Sequence, residues 1–125
     1  MHELAIAQGI VSGACEHAAG RRVYRVTVAI GMLCAVVPDS LHFCFGLAAE
    51  GTLAEGAELV IEEIPGRARC RSCGAEFDLP DPIPLCACGS ADVDIRAGRE
   101  LRIRSMEVSD TCAQPADAAA TTPRR

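Results

Sequence analysis

Apolar residues recur along the chain with two different periods. Over residues 3–19, Leu4, Ala7, Val11, Ala14 and Ala18 fall three or four apart, and Ile6 and Ile10 widen the stripe. That spacing predicts a helix with one buried face. Glu3 puts negative charge in its first turn, where the helix dipole favours it, and Gly20 offers a stop. From residue 22 to 30 the period shortens to two. Tyr24, Val26, Val28 and Ile30 point one way, Arg25 and Thr27 the other, as in a strand. A second helix is predicted over 39–50, with Leu41, Phe45 and Ala48 in one stripe and Cys44 and Leu47 beside it. Asp39 or Ser40 is available as its cap, just after Pro38, and Gly51 ends it. Two further strands are predicted: residues 58–64, closed by Pro65-Gly66, and 100–108, where Leu101, Ile103 and Ser105 alternate with Arg102 and Arg104.

These elements predict an α+β fold, with two helices packed on a three-stranded sheet. The charged positions of the last strand expect one sheet face to meet solvent while helices cover the other. Residues 67–98 interrupt the pattern. They hold Pro80, Pro82 and Pro84 and few large apolar side chains, too few to bury enough surface to fold without a staple. The expected organisation is a discontinuous α+β domain, 1–66 with 99–109, interrupted by an inserted domain at 67–98. A tail at 110–125, built of Ala, Thr, Pro and Asp without periodicity, is expected to be disordered.

Composition sharpens this picture. The chain has 125 residues, half of them apolar but only 3% aromatic, so its core must be aliphatic. Cores so poor in large side chains often rely on a metal or on disulfides. The net charge of −5 argues against a nucleic-acid-binding surface, which is usually basic. All twelve cationic residues are Arg. The start, Met1-His2-Glu3-Leu4, has neither the basic nor the continuous apolar region of a signal peptide. No stretch approaches the ~20 apolar residues of a membrane span. The expectation is a cytoplasmic protein with no membrane partner, in which clustered cysteines bind metal more often than they form disulfides.

Eight cysteines are present. Cys70-Arg71-Ser72-Cys73, with Gly74 next, is separated by twelve residues from Cys86-Ala87-Cys88-Gly89. A glycine directly after each pair suits a metal knuckle, where the backbone turns tightly and a positive φ is needed. Four thiolates satisfy tetrahedral zinc completely and leave no open position, which marks a structural site. Its binding free energy then becomes folding free energy of the insert. The second pair is C-x-C where C-x-x-C is usual. Alternatives at this point are two disulfides, four unrelated buried thiols, a rubredoxin-like iron site, or a redox dithiol at Cys70 and Cys73. Cys15, Cys34 and Cys44 are expected to be buried as small apolar residues, and Cys112 to be an exposed thiol.

The amino terminus offers a second kind of ligand set. A bulky second residue, His2, hinders removal of Met1. The Met1 amine, the His2 amide nitrogen and the His2 imidazole can then close two adjoining chelate rings on one ion, with the Glu3 amide or carboxylate completing a square. Square-planar nitrogen and oxygen ligation suits Ni(II) or Cu(II) rather than zinc. Taken alone, Met-His is a common chance beginning, and an idle terminal histidine is the commoner case. His17 and His42 fall on helices and are expected to be solvated or packed. No nucleophile–base pair or phosphate loop stands out, so no enzymatic activity is expected.

Two segments extend this reading. Met1-His2-Glu3-Leu4-Ala5-Ile6-Ala7-Gln8 resembles the start of the HypA/HybF family of hydrogenase nickel incorporation proteins. Gly98-Arg99-Glu100-Leu101-Arg102-Ile103-Arg104-Ser105-Met106-Glu107-Val108 resembles that family's last strand, and the cysteine insert falls between the same elements. The resemblance covers residues 1 to about 108. It implies a nickel metallochaperone with two helices and three strands, interrupted by a zinc domain. It further implies nickel, as transferred cargo, at His2 and neighbouring main-chain nitrogens, and zinc at Cys70, Cys73, Cys86 and Cys88. The implied partners are the HypB GTPase and the large subunit of [NiFe] hydrogenase, with urease served by some members. The runner-up is a zinc-ribbon interaction module in which His2 plays no part.

Overall fold

The computed structural model describes residues 2–112. Helix α1 (Glu3–Ala18) buries Ala7, Ile10, Val11, Ala14 and Ala18. Leu4, expected in that stripe, is 46% exposed, because it lies in the first turn at the edge of the packed face. The helix ends one residue earlier than Gly20: Ala19 itself takes the left-handed conformation, with φ of 53°. Strand β1 (Arg21–Gly31) follows, then a 3-10 turn (Met32–Cys34) and helix α2 (Pro38–Ala49). Leu41, Phe45 and Ala49 form the buried stripe of α2, one position later at its end than the expected Ala48.

Strands β2 (Glu58–Ile64) and β6 (Leu101–Cys112) flank β1 in a sheet of order β2-β1-β6. Arg25, at the centre of this sheet, donates to Glu58 on β2 at 2.9 Å and to Glu107 on β6 at 2.7 Å, all three exposed. The helices α1 and α2 pack on one another. A methyl group added at Gly13 of α1 would stand 3.4 Å from Ile103 of β6, so this helix lies close against the sheet. Its small buried residues permit that approach. The last strand reaches Cys112, beyond the expected end at 108 and into the segment expected to be tail; the rest of that segment, 113–125, lies outside the described residues.

The insert carries strands that the sequence pattern did not predict. It contains β3 (Arg67–Cys70), β4 (Glu76–Asp78) and β5 (Val93–Ala97), in a second sheet of order β4-β3-β5. Both neighbours run antiparallel to β3, with Ala68 opposite Phe77 on one side and Ile95 on the other. Within the insert, the buried side chains with apolar character are Ala68, Cys70, Leu79 and Cys86. Two of these four are cysteines, so sulfur takes the place that large hydrophobic side chains occupy elsewhere.

The chain divides into two compact units. Among the described residues, one comprises 2–28, Val36–Ile61 and 102–112; the other comprises Ala29–Ala35 and Glu62–Leu101. Residues 29–35 and 62–66 thus group with the second unit, whereas the sequence pattern put the boundary at 66. The cause is a close backbone joint inside that unit. Gly31 donates to the Glu100 carbonyl at 2.7 Å and Leu33 to the Gly98 carbonyl at 2.9 Å. Gly98 has φ of +111°, and a Cβ there would lie 2.7 Å from the Gly66 Cα and 2.9 Å from the Leu33 side chain. No L-residue with a side chain fits that position without displacing its neighbours.

Candidate metal centre

Two turns build the sulfur cluster. At the end of β3, the Gly74 N–H donates to the Cys70 carbonyl at 2.9 Å and the Cys70 N–H to the Ala75 carbonyl at 2.8 Å. Gly74 closes that turn with φ of +79°. The second turn repeats the device: Gly89 donates to the Cys86 carbonyl at 2.9 Å and has φ of +93°. The Cys86 N–H donates to the Ser90 carbonyl at 2.9 Å. The glycine after each cysteine pair is therefore required by the backbone. Ser72 and Ser90 join the two turns through their hydroxyls at 2.9 Å, and the Arg71 N–H donates to the Asp92 carbonyl at 2.9 Å.

The four sulfurs all lie within 4.8 Å of one another. Contacts run between the pairs: Cys70 to Cys88 at 3.7 Å and Cys73 to Cys86 at 3.7 Å. Sulfurs placed ~2.3 Å from a central zinc ion in a tetrahedron stand about 3.8 Å apart, so these edges fit such an ion. A disulfide needs about 2.05 Å, and Cys70, Cys73, Cys86 and Cys88 are free thiols. The shorter C-x-C spacing does not spoil the set. Each pair contributes one buried sulfur, Cys70 or Cys86, and one exposed sulfur, Cys73 or Cys88.

Ionisation differs across the cluster. The Cys73 N–H, 3.5 Å from its sulfur, is the chief cause that holds the Cys70 thiol down at about 6; the Ser72 N–H adds to it. Cys86 is pushed up instead. The Cys88 N–H favours its thiolate, but burial and the neighbouring Cys88 and Cys70 sulfurs together outweigh that donor. Four adjacent thiolates repel one another, and a divalent cation among them removes that conflict.

The amino terminus stands apart chemically. His2 is exposed and is the residue before the first turn of α1, with its carbonyl accepting the Ile6 N–H at 3.1 Å. His2 supplies no side-chain cap to the amino end of α1, and the first amides of the helix have no helical acceptor. Met1 lies outside the described residues. The Glu3 carboxylate accepts the Val37 N–H at 3.0 Å, and that bond is the main cause of its lowered pKa. His17 bonds locally to the Gly13 carbonyl at 2.8 Å and His42 is exposed on α2.

The full arrangement has counterparts among known proteins. Residues 1–108 match the family model described as hydrogenase/urease nickel incorporation, metallochaperone, HypA.

The chain belongs to the HypA family.

Hydrogenase maturation factor HypA of Nostoc sp. is 48% identical over 112 residues, spanning 90% of this chain and 99% of that protein. The protein of the same name from Geobacter metallireducens is 48% identical over 111 residues, spanning 86% and 99%. The solution structure of the nickel metallochaperone HypA from Helicobacter pylori superimposes with a TM-score of 0.63 at 26% identity, over 86% of this chain and 97% of that one.

Within this HypA framework the structure brings the sulfurs of Cys70, Cys73, Cys86 and Cys88 together. It places His2 and Glu3 at the start of α1, in the first unit, and the sulfurs in the second. The Val37 partner of Glu3 was not legible in the sequence. Neither was the Ser72–Ser90 bond, because Ser72 lies inside the first cysteine pair and Ser90 beyond the second, with no shared spacing to mark them.

Proposed function

We propose that this chain is a nickel metallochaperone for the maturation of [NiFe] hydrogenase. Ni(II) is the cargo. It is held by the Met1 amine, the His2 amide nitrogen and imidazole, and Glu3 through main chain or side chain. The protein delivers it to the hydrogenase large subunit in concert with the HypB GTPase, in the cytoplasm. Among the described residues no helix is long and apolar enough to cross a membrane.

The observation that carries this reading is family membership extending to residue 1, joined to an exposed His2 at an uncapped helix start. Amide nitrogens there have no helical acceptor to give up when a square-planar metal displaces their protons. His2 is exposed, so the ion can leave by ligand exchange. Zinc at Cys70, Cys73, Cys86 and Cys88 would supply folding free energy and no open coordination position, which suits a resident structural ion.

Nickel titration of the untagged protein, followed by the absorption of the square-planar complex, tests the proposal. His2→Ala is expected to weaken nickel on the order of 100-fold, and an amino-terminal extension is expected to weaken it comparably. Equal binding by His2→Ala and parent would refute the terminal site.

A further inference from the structure

Glu3 sits one residue from the proposed nickel-binding histidine, yet its side chain is committed elsewhere. Helix α2 begins at Pro38, which has no N–H, and the residue before it, Val37, has no side-chain oxygen with which to cap. No side chain of α2 itself supplies a capping bond. In a capping box, an acid three residues into a helix reaches back to the N–H of the residue at the cap. That third position in α2 is Ser40, and the N–H it would serve is Val37's. The Glu3 carboxylate takes that N–H at 3.0 Å instead, from the first turn of α1.

We propose that Glu3 is a positioning residue: its carboxylate completes the cap of α2 from the neighbouring helix and pins the amino-terminal segment there, leaving nickel to the terminal amine, the main-chain nitrogens and the His2 imidazole. This rests on the nickel reading above and chooses, between main chain and side chain, the former for Glu3. Three features hold the segment. The His2 carbonyl is engaged by Ile6, the Glu3 carboxylate by Val37, and α1 by its packing on α2. A helix start fastened at residues 2 and 3 holds His2 in place, which reduces the ordering cost of binding. A carboxylate drawn into the metal's plane would have to abandon the Val37 N–H.

The experiment combines two readouts on untagged protein: amide hydrogen exchange at Val37 without nickel, and nickel titration with the spectrum of the complex. Glu3→Ala is expected to raise Val37 exchange and to weaken nickel about fivefold, the size of a lost cap. Glu3→Gln keeps an acceptor oxygen, so it should restore most of the Val37 protection and lose about twofold in nickel affinity. Both variants should give the parent's nickel spectrum, since the donor atoms are the same. The idea is overturned if Val37 exchange in Glu3→Ala equals the parent's. It is also overturned if both variants share an altered nickel spectrum, because the carboxylate is then a ligand. The exchange arm uses no nickel, and His2→Ala runs alongside. A failure of the nickel reading, seen as His2→Ala matching the parent, is therefore told apart from a failure of the cap.

Discussion

A carboxylate that accepts a backbone N–H at a helix start stays ionised to lower pH than a free one. Glu3 is in that position against Val37, and its pKa falls below the ordinary value of 4.5. The sign follows from linkage: a folded-state pKa below the unfolded value adds stability that is complete above 4.5 and is lost as pH falls through the folded value. In metal-free protein, the gap in melting temperature between parent and Glu3→Gln should be constant near neutrality and close as pH drops below 4.5. Thermal melts of both proteins from neutral to acid pH check this, and a gap that widens in acid contradicts it. The sequence placed Glu3 in the right turn of the right helix, but read its charge as serving its own helix dipole. Its actual partner lies 34 residues away and depends on how α1 packs on α2. The four cysteines were legible for the opposite reason. Each knuckle is a local turn whose spacing and glycine sit within five residues.

At the scale of elements, long periodic segments announced themselves and short ones did not. Helix α1 and strand β1 carry apolar residues over 16 and 11 positions, enough for a period to show. Strands β3, β4 and β5 span four, three and five residues and bury Ala68 and Cys70 rather than valines or isoleucines. Their pairing comes from the turns that the cysteines close. The glycines divide in the same way. Gly98 combines φ of +111° with a would-be Cβ at 2.7 Å from another backbone atom, whereas a Cβ at Gly46, on the exposed face of α2, meets nothing within 4 Å. Gly98→Ala should therefore cost roughly 2 kcal/mol or more through backbone strain and displacement. Gly46→Ala should add about 0.5–1 kcal/mol, by helix propensity. Urea unfolding of the two variants against the parent measures both, and the same sign for the two would contradict this packing.

At the scale of the molecule, the proposed reading assigns two metal chemistries to two compact units. A net charge of −5 and a scarcity of aromatics leave an aliphatic first unit and a second unit whose core is partly sulfur. Closed tetrahedral thiolate ligation retains an ion, while an exposed chain end with nitrogen donors releases one. The most direct test is X-ray absorption at the nickel and zinc edges of untagged protein loaded with one equivalent of each. The account predicts four sulfur neighbours around zinc and a planar shell of nitrogen and oxygen, free of sulfur, around nickel. Sulfur in the nickel shell, or nitrogen-rich zinc with nickel in the cysteine cluster, would contradict it.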